Sequence, residues 1–280
     1  MSVFQIHWQG VNACKAMLAA FQAIMPSAPD EFSVRIGITV NAAGAEPLAT
    51  VNGQLFGSVS ELTEILAPAL SAAAPADQDI KEMTYWQGKD FLADLEGPSC
   101  YAERSRYVTD PLPSEAIEVI FDRLAQWPGG GSATAKLFSW GGAISRIPRD
   151  ATAFVHRDAL FLASFSVGWP TQTPSDGAQT ELEWLNLTFD AFLLYTVAES
   201  YQNFIDPALI DWQTAYYGEN LERLMSIKAV YDPTDFFQFS QGIPLPVGQR
   251  ESSIVALEHP TWWKNPRGST AVAPTISYLS

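Results

Sequence analysis

The stretch EFSVRIGITVN, residues 31–41, alternates apolar and polar side chains more strictly than any other part of the chain. Its apolar positions are Phe32, Val34, Ile36, Ile38 and Val40. The positions between them are Ser33, Arg35, Gly37, Thr39 and Asn41. Because successive side chains of a strand point to opposite faces, this pattern predicts a strand with one face in the core. The other face is polar and open to water, a ligand or another domain.

The rest of the chain predicts further strands and helices in mixed order. Strands are expected at residues 3–8, 48–56, 136–147 and 159–169, where β-forming residues alternate or cluster. Helices are expected at residues 12–25, 114–127, 180–200 and 219–230 and directly after Ser58, from apolar residues at helical spacing. Five or six strands and as many helices indicate an α+β fold. We expect a large antiparallel sheet with helices on one face and a polar, ligand-facing surface on the other.

Two short segments have the pattern of a helix capping box, in which Ser or Thr is followed three residues later by Glu. They are Ser58–Glu61 and Thr180–Glu183. The last helix, at 219–230, is expected to bury Leu221, Leu224 and Met225 and to end before Asp232-Pro233.

Composition excludes several classes of partner. The chain has 280 residues, only 17% charged residues and a net charge of −15. Nucleic acid and anionic lipid both require clusters of Lys and Arg, so neither is an expected partner. No apolar run approaches the length that spans a bilayer. The N-terminal sequence MSVFQIHWQG lacks the features of a signal peptide, and the compartment is left open, cytoplasmic if the protein is bacterial and unprocessed.

Common catalytic and metal-binding motifs are missing from the sequence. There is no G-x-S-x-G, no P-loop and no H-E-x-x-H. The histidines lie far apart, and the two cysteines, Cys14 and Cys100, form neither a disulfide framework nor a zinc motif. No metal site is therefore expected. The segment His156-Arg157-Asp158 precedes a strand and is interpreted as a polar loop.

The segment Tyr201–Asp206, YQNFID, is less usual, because Asn is poorly favoured in an apolar, β-like run unless its amide is hydrogen-bonded. Two interpretations stay open. In the first, the segment is a strand edge that leads into a helix cap, and Asn203 bonds the backbone. In the second, Tyr201 and Asn203 lie at a ligand.

The C-terminal part of the chain resembles the FAD-linked oxidases of the berberine bridge enzyme-like group. The residues that match the family's closing signature are Tyr216-Tyr217-Gly218, Asn220, Arg223-Leu224, Ile227-Lys228, Tyr231-Asp232-Pro233, Phe237 and Gln241-Gly242-Ile243-Pro244. Upstream, Tyr201-Gln202-Asn203-Phe204 resembles the family's Y-x-N-Y motif. The resemblance covers nearly everything from Val3 to Pro246 and corresponds to the C-terminal half of such an enzyme.

The resemblance implies roles for individual residues. FAD is the implied cofactor, and Asn203 corresponds to the asparagine that contacts the flavin region. Arg35 and Thr39 are implied substrate-binding residues, because they lie on the ligand-facing side of the predicted sheet. In several relatives the second Tyr of Y-x-N-Y accepts the substrate's hydroxyl proton, and this chain has Phe204 there, which cannot ionise. Tyr201 is the remaining catalytic candidate, if the backbone places it suitably.

The expected organisation is a substrate-binding domain at residues 3–245, which includes the segment 201–245, followed by an irregular tail at 246–280. The family's flavin-attaching His and Cys belong to a domain that these residues do not match, and Cys14 and Cys100 are not assigned that role. We therefore expect the substrate-binding half of an FAD-dependent oxidoreductase, inactive alone, whose partners are a small-molecule substrate and an FAD-domain polypeptide. The alternative is a cofactor-free binding protein or cyclase in which Trp262 and Trp263 of the tail cover the flavin-facing side.

Overall fold

The computed structural model describes residues 1–93, 99–172 and 178–247. The tail expected at 246–280, with Trp262 and Trp263, lies almost entirely outside the described residues. By compactness the chain divides into a unit of residues Met1–Leu221 and a second unit that begins at Glu222.

Seven strands in the described residues form one antiparallel sheet, in the order β4-β1-β3-β2-β6-β7-β5. The strands are β1 (Ser2–Gln9), β2 (Phe32–Val40), β3 (Leu48–Leu55), β4 (Asp77–Glu82), β5 (Cys100–Val108), β6 (Ser132–Ser139) and β7 (Phe161–Trp169). The predicted α+β class with a large antiparallel sheet is confirmed. The edge strands β4 and β5 were not predicted, because DQDIKE and CYAERSRYV lack a clear apolar alternation. Strand β6 ends at Ser139, eight residues earlier than its pattern suggested.

The helices are α1 (Val11–Ile24), α2 (Val59–Ala72), α3 (Tyr85–Phe91), α4 (Ser114–Ala125), α5 (Gln179–Phe192), α6 (Trp212–Tyr217) and α7 (Leu221–Tyr231). The apolar sides of α1, α2, α4 and α5 share one core with the sheet. In β2, Ile36 and Ile38 are fully buried in this core, and Val34 is 3% exposed. Each such side chain contributes about 1.5–3 kcal/mol by leaving water. This burial holds the helices on one face of the sheet.

Helix starts only partly follow the predicted capping boxes. Ser58 and Glu61 form the predicted reciprocal box at the start of α2. The box predicted at Thr180–Glu183 is wrong, because α5 already begins at Gln179 and Ala178 occupies its N-cap position. Helix α3 was not predicted, although Thr84 and Gln87 form a capping box at its start.

Helix α3 covers one corner of the sheet's polar face. Val3 lies on that face and is fully buried. A Cβ atom added to Gly88 of α3 would lie 3.1 Å from Val3 Cγ1, so the glycine allows the helix to approach the strand closely. The polar face is therefore covered at this corner by α3.

The second unit contains most of α7 and the residues that follow it. Helix α7 ends at Tyr231, as predicted from Asp232-Pro233, but none of its residues is fully buried. The expected burial of Leu221, Leu224 and Met225 is therefore wrong, since all three are only partly covered.

The loop after α7 is fixed by charged groups of the second unit. Lys228 Nζ lies 2.8 Å from Asp232 Oδ2 and 2.7 Å from Asp235 Oδ1. Asp232 also accepts hydrogen bonds from the backbone N–H groups of Phe236 and Phe237. These contacts present Phe236 and Phe237 at the surface, 79% and 76% exposed.

Candidate ligand-binding face of the sheet

Three rows of side chains cross the polar face, each formed by residues paired across neighbouring strands. The first row is Asn52, Arg35, Phe138, Leu162 and Tyr107. The second is Thr50, Gly37, Lys136, Ser164 and Ser105. The third is Leu48, Thr39, Thr134, Ser166 and Glu103. The second and third rows thus form a floor of hydroxyl, ammonium and carboxylate groups, whereas the first row becomes apolar towards β5.

The two predicted substrate-binding residues lie on this face at different places. Arg35 Nε donates to Asn52 Oδ1 at 3.2 Å, and Arg35 pairs with Phe138 across β2 and β6. The Thr39 hydroxyl lies 2.9 Å from the hydroxyl of Thr134. Four residues along a strand correspond to about 13 Å. Arg35 is therefore next to the apolar end of its row, and Thr39 belongs to a separate part of the face.

A half-buried carboxylate balances the charge on the floor. Glu103 Oε1 lies 3.4 Å from Lys136 Nζ and accepts a hydrogen bond from Ser164 Oγ. Because Lys136 and Glu103 are both largely covered, each side chain compensates the other's charge. This arrangement holds an ammonium group in the middle row.

Seven rings form an aromatic cluster where the first row ends. The cluster consists of Tyr107, Phe138, Trp140, Phe154, His156, Tyr201 and Phe204. The Tyr107 and His156 rings stack with their centroids 4.3 Å apart. Both are fully buried, whereas the other five rings are half-buried. The cluster therefore has a covered floor and a rim that faces outwards.

Tyr201 and Asn203, the predicted catalytic and cofactor-binding residues, lie together at this rim. Asn203 Nδ2 donates to Tyr201 Oη at 3.0 Å. Phe204 contacts the rings of Tyr201 and Phe138, with centroids 5.3 and 5.7 Å away. The structure thus brings Arg35, Tyr201 and Asn203 to one end of the face, where Phe204 supplies a ring but no proton.

A charged chain of side chains lies behind the cluster. His156 Nδ1 is 2.7 Å from Glu199 Oε2, and Arg149 donates to Glu199 Oε1 at 2.6 Å. Burial raises the pKa of Glu199, but the hydrogen bonds from His156 and Arg149 outweigh it and lower the pKa below its ordinary value. A hydrogen bond to Glu219 is the main cause of a raised pKa for Arg149. Glu199 is therefore held as a carboxylate.

Asn220, a residue of the C-terminal signature, holds the loop that carries this charged chain. Its Nδ2 donates to the carbonyl oxygens of Arg149 and Thr152, at 2.7 and 3.1 Å. Arg157 donates to the carbonyl oxygen of Ile144 within the same loop. The signature residue thus fixes the backbone beside His156.

Three polar atoms in the cluster have no hydrogen-bond partner among the described residues: Tyr107 Oη, Trp140 Nε1 and His156 Nε2. Burial raises the pKa of Tyr107 well above its ordinary value, so the hydroxyl stays protonated. Residues 156–158 lie in a loop, as the sequence indicated, but His156 and Arg157 are buried in it. Neither Tyr107 nor Glu199 was predicted as a site residue from the sequence, because their contacts with His156 join residues far apart in the chain.

The described part of the chain also lacks two other kinds of feature. No group of three or more His, Cys, Asp or Glu side chains is arranged to hold a metal ion there. None of the helices in those ranges combines the length and the apolar character needed to cross a bilayer.

The chain is similar to known FAD-linked oxidoreductases and to one protein family. The family described as "Berberine and berberine like" matches residues 200–244. The chain is 30% identical over 248 residues to YvdP, an uncharacterized FAD-linked oxidoreductase of Bacillus subtilis. That alignment covers 87% of this chain and 54% of the relative. It is 26% identical over 280 residues to berberine bridge enzyme-like 6 of Arabidopsis thaliana, covering 87% of this chain and 50% of the relative. The chain therefore spans about half the length of the curated relatives it matches.

Solved structures share the fold. The berberine bridge enzyme from Eschscholzia californica matches with a TM-score of 0.70 and 21% identity, over 88% of this chain and 55% of that one. Wild-type BBE-like 1 of Physcomitrella patens matches with a TM-score of 0.73 and 21% identity, over 88% and 54% of the two chains. The resemblance inferred from the sequence is confirmed.

Proposed function

This chain is a homologue of the FAD-linked oxidoreductases of the berberine bridge enzyme-like family, and from this premise we propose that it forms the substrate-binding half of an FAD-dependent oxidoreductase. The reaction is the oxidation of a small organic alcohol, sugar or natural product. The flavin module is supplied by another segment or by a separate polypeptide.

The observation that carries this proposal is the polar face with the aromatic cluster at one end. Its groups suit a flavin ring, because Thr39, Thr134, Lys136 and Asn203 offer hydroxyl, ammonium and amide groups to the carbonyl oxygens and nitrogens of such a ring. A bound flavin would accept a hydride from the substrate carbon that bears the hydroxyl group. The task of this chain is then to bind and orient the substrate and to take up its hydroxyl proton.

Tyr201 is the proposed proton acceptor at the rim. The N–H of Asn203 donates to its oxygen, which fixes the direction of the phenol group. Tyr201 then takes up the substrate's hydroxyl proton as its own phenolic proton passes to solvent at the rim. Arg35 and the half-buried rings of the cluster bind the substrate beside it. Phe204 occupies the place of the tyrosine that accepts the proton in several relatives, so this chain needs a different acceptor.

Reconstitution tests this proposal. The purified chain should retain no flavin alone, whereas mixing it with the flavin-binding half of a Bacillus relative should give visible flavin absorbance and oxidation of alcohols from a substrate panel. Tyr201→Phe should lower kcat at least about 100-fold, because one positioned proton acceptor contributes about 10²–10⁴ in rate. Tyr101→Phe, the same substitution at an exposed tyrosine of β5 outside the three rows and the aromatic cluster, is the matched control. The proposal fails if no flavin module restores activity, or if Tyr201→Phe turns over normally.

The second candidate is a cofactor-free small-molecule binding protein or cyclase, and Phe204 favours it because the usual proton acceptor is replaced by a ring. Here the aromatic cluster binds a ligand, and no flavin takes part in the reaction. Phe204→Tyr separates the two functions. It should raise oxidase activity in a reconstituted complex if the chain is an oxidoreductase half, and should change only ligand affinity if it is a binding protein.

A further inference from the structure

A glycine, Gly37, occupies the middle of β2, the central strand of the seven-stranded sheet. A glycine inside a strand is unfavourable, because it loses more conformational entropy on folding than other residues and has no side chain to pack. Four reasons commonly explain one. They are a backbone conformation closed to other residues, a β-bulge, a neighbour that leaves no room for a side chain, and the close approach of a ligand.

The structure excludes the first three reasons at Gly37. Its φ is not positive, and the pairing of β2 with both neighbouring strands continues through it without a bulge. A Cβ atom added to Gly37 would meet only the carbonyl oxygen of Thr50 at 3.8 Å and Thr134 Cγ2 at 3.9 Å, which are ordinary contacts. Gly53 of β3 differs, because a Cβ atom there would lie 2.1 Å from the carbonyl oxygen of Ser33. The approach of a ligand is therefore the reason left for Gly37.

The side chains paired with Gly37 leave its backbone uncovered. On one side, the Thr50 hydroxyl lies 3.1 Å from His7 Nδ1 of β1. On the other side, Lys136 Nζ lies 3.4 Å from Glu103 of β5. Both polar groups are thus drawn away from β2, and Gly37 itself is only half-buried. The result is a shallow depression in the polar face.

We propose that Gly37 is the seat of a planar ring, which packs flat on the bare backbone between Thr50 and Lys136. The Cα atoms of these two residues are two strand spacings apart, about 10 Å, which gives a ring room to lie between them. The backbone and the Thr134 methyl group line the depression, so a flat group makes more contact with it than a branched one. The Lys136 ammonium can donate to polar atoms at the edge of the ring.

Two compounds in the proposed reaction can supply such a ring, the flavin and an aromatic substrate. The inference deepens the proposed function, and it rests on that function for the identity of the ring. The geometry of Gly37 and its neighbours applies equally to both sources.

Titrating two planar compounds into the chain without a flavin module tests the seat and identifies the source of the ring. Flavin mononucleotide supplies the flavin ring, and 2-naphthylmethanol is an aromatic alcohol without flavin. Binding is measured by NMR, with the amide signal of Gly37 and the methyl signal of Thr134 as local readouts. At least one compound should bind and shift both signals. Binding of flavin mononucleotide assigns the seat to the cofactor, and binding of 2-naphthylmethanol alone assigns it to the substrate.

Gly37→Val fills the seat with a β-branched side chain that suits a strand. It should raise the Kd of the bound compound at least about tenfold, because the ring no longer reaches the backbone. It should also unfold at the same or a higher urea concentration than the wild type, since the added Cβ atom makes only ordinary contacts. Ser33→Val, on the same strand and face but about 13 Å away, is the matched control and should leave the Kd unchanged.

The seat is refuted if neither compound shifts the two signals, or if Gly37→Val binds as tightly as the wild type. A lower urea midpoint for Gly37→Val would also refute it, because the glycine would then have a structural reason. Since no flavin module is present, these outcomes are separate from the reconstitution assay: a chain that binds a ring at Gly37 but never supports oxidation keeps the seat and loses the oxidoreductase function.

Discussion

Replacing Gly218 by alanine should destabilise the protein more than an ordinary glycine substitution does. Gly218 ends α6 with φ 47° and ψ −131°, a conformation that L-amino acids rarely adopt. A Cβ atom at this position would also lie 3.2 Å from Cγ2 of Val155, the residue before His156. The substitution therefore combines backbone strain with crowding of the loop that carries His156.

Backbone strain and crowding against Val155 together set the expected loss in the free energy of unfolding. A non-glycine residue in such a conformation costs about 1–3 kcal/mol, and the close contact with Val155 adds about 1 kcal/mol. The expected loss in the free energy of unfolding is about 2–4 kcal/mol. For a domain of this size each kcal/mol lowers Tm by about 2–4 °C, so the expected decrease is about 4–16 °C.

The matched control is Gly44→Ala. Gly44 also has a positive φ, 69°, but a Cβ atom there would meet nothing within 4 Å. Alanine reduces the entropy of the unfolded chain equally at both positions, so this effect cancels in the comparison. Gly44→Ala should cost about 1 kcal/mol, which is the strain alone.

The assay is urea unfolding followed by circular dichroism. Gly218→Ala should unfold at a clearly lower urea concentration than Gly44→Ala. Equal unfolding midpoints for the two variants would refute the reasoning, since neither the conformation of Gly218 nor its contact with Val155 would then matter.

Three further predictions follow from burial and charge. Ile36→Ala should cost about 2–5 kcal/mol because Ile36 is fully buried, whereas Thr39→Ala on the opposite face should cost about 1 kcal/mol or less; equal losses in chemical unfolding would contradict a one-sided sheet. Folding lowers the pKa of Glu199, so the stabilisation it provides is present above its unfolded pKa of 4.5 and is lost as pH falls through the lower folded value. Glu199→Gln should therefore show a smaller loss of stability in acid than the wild type, and parallel pH profiles would argue against the ion pairs. Burial raises the pKa of Cys14 to about 11, so at pH 8 its thiol should react with an alkylating reagent far more slowly than Cys100 until the protein is denatured, and equal rates in the folded protein would contradict the burial.

Several features of the fold could be predicted from the sequence because they depend on residues close together in the chain. The alternation in residues 31–41 predicted β2 and its buried face, and Ser58 with Glu61 predicted the start of α2. The edge strand β4 could not be predicted from DQDIKE, which forms a strand because it pairs along its whole length with β1. Its backbone hydrogen bonds, rather than its side chains, stabilise the strand.

The candidate site shows the same division between local and long-range information. The motif around Tyr201 and Asn203 was recognisable because its residues are neighbours in sequence. The stacking of Tyr107 on His156 and the pairing of His156 with Glu199 join residues 43 or more positions apart. Such contacts depend on the order in which strands pair and on the path of the connecting loops. The periodicity of the chain therefore determined which face of the sheet is buried, and only the tertiary structure decided which polar groups meet on the other face.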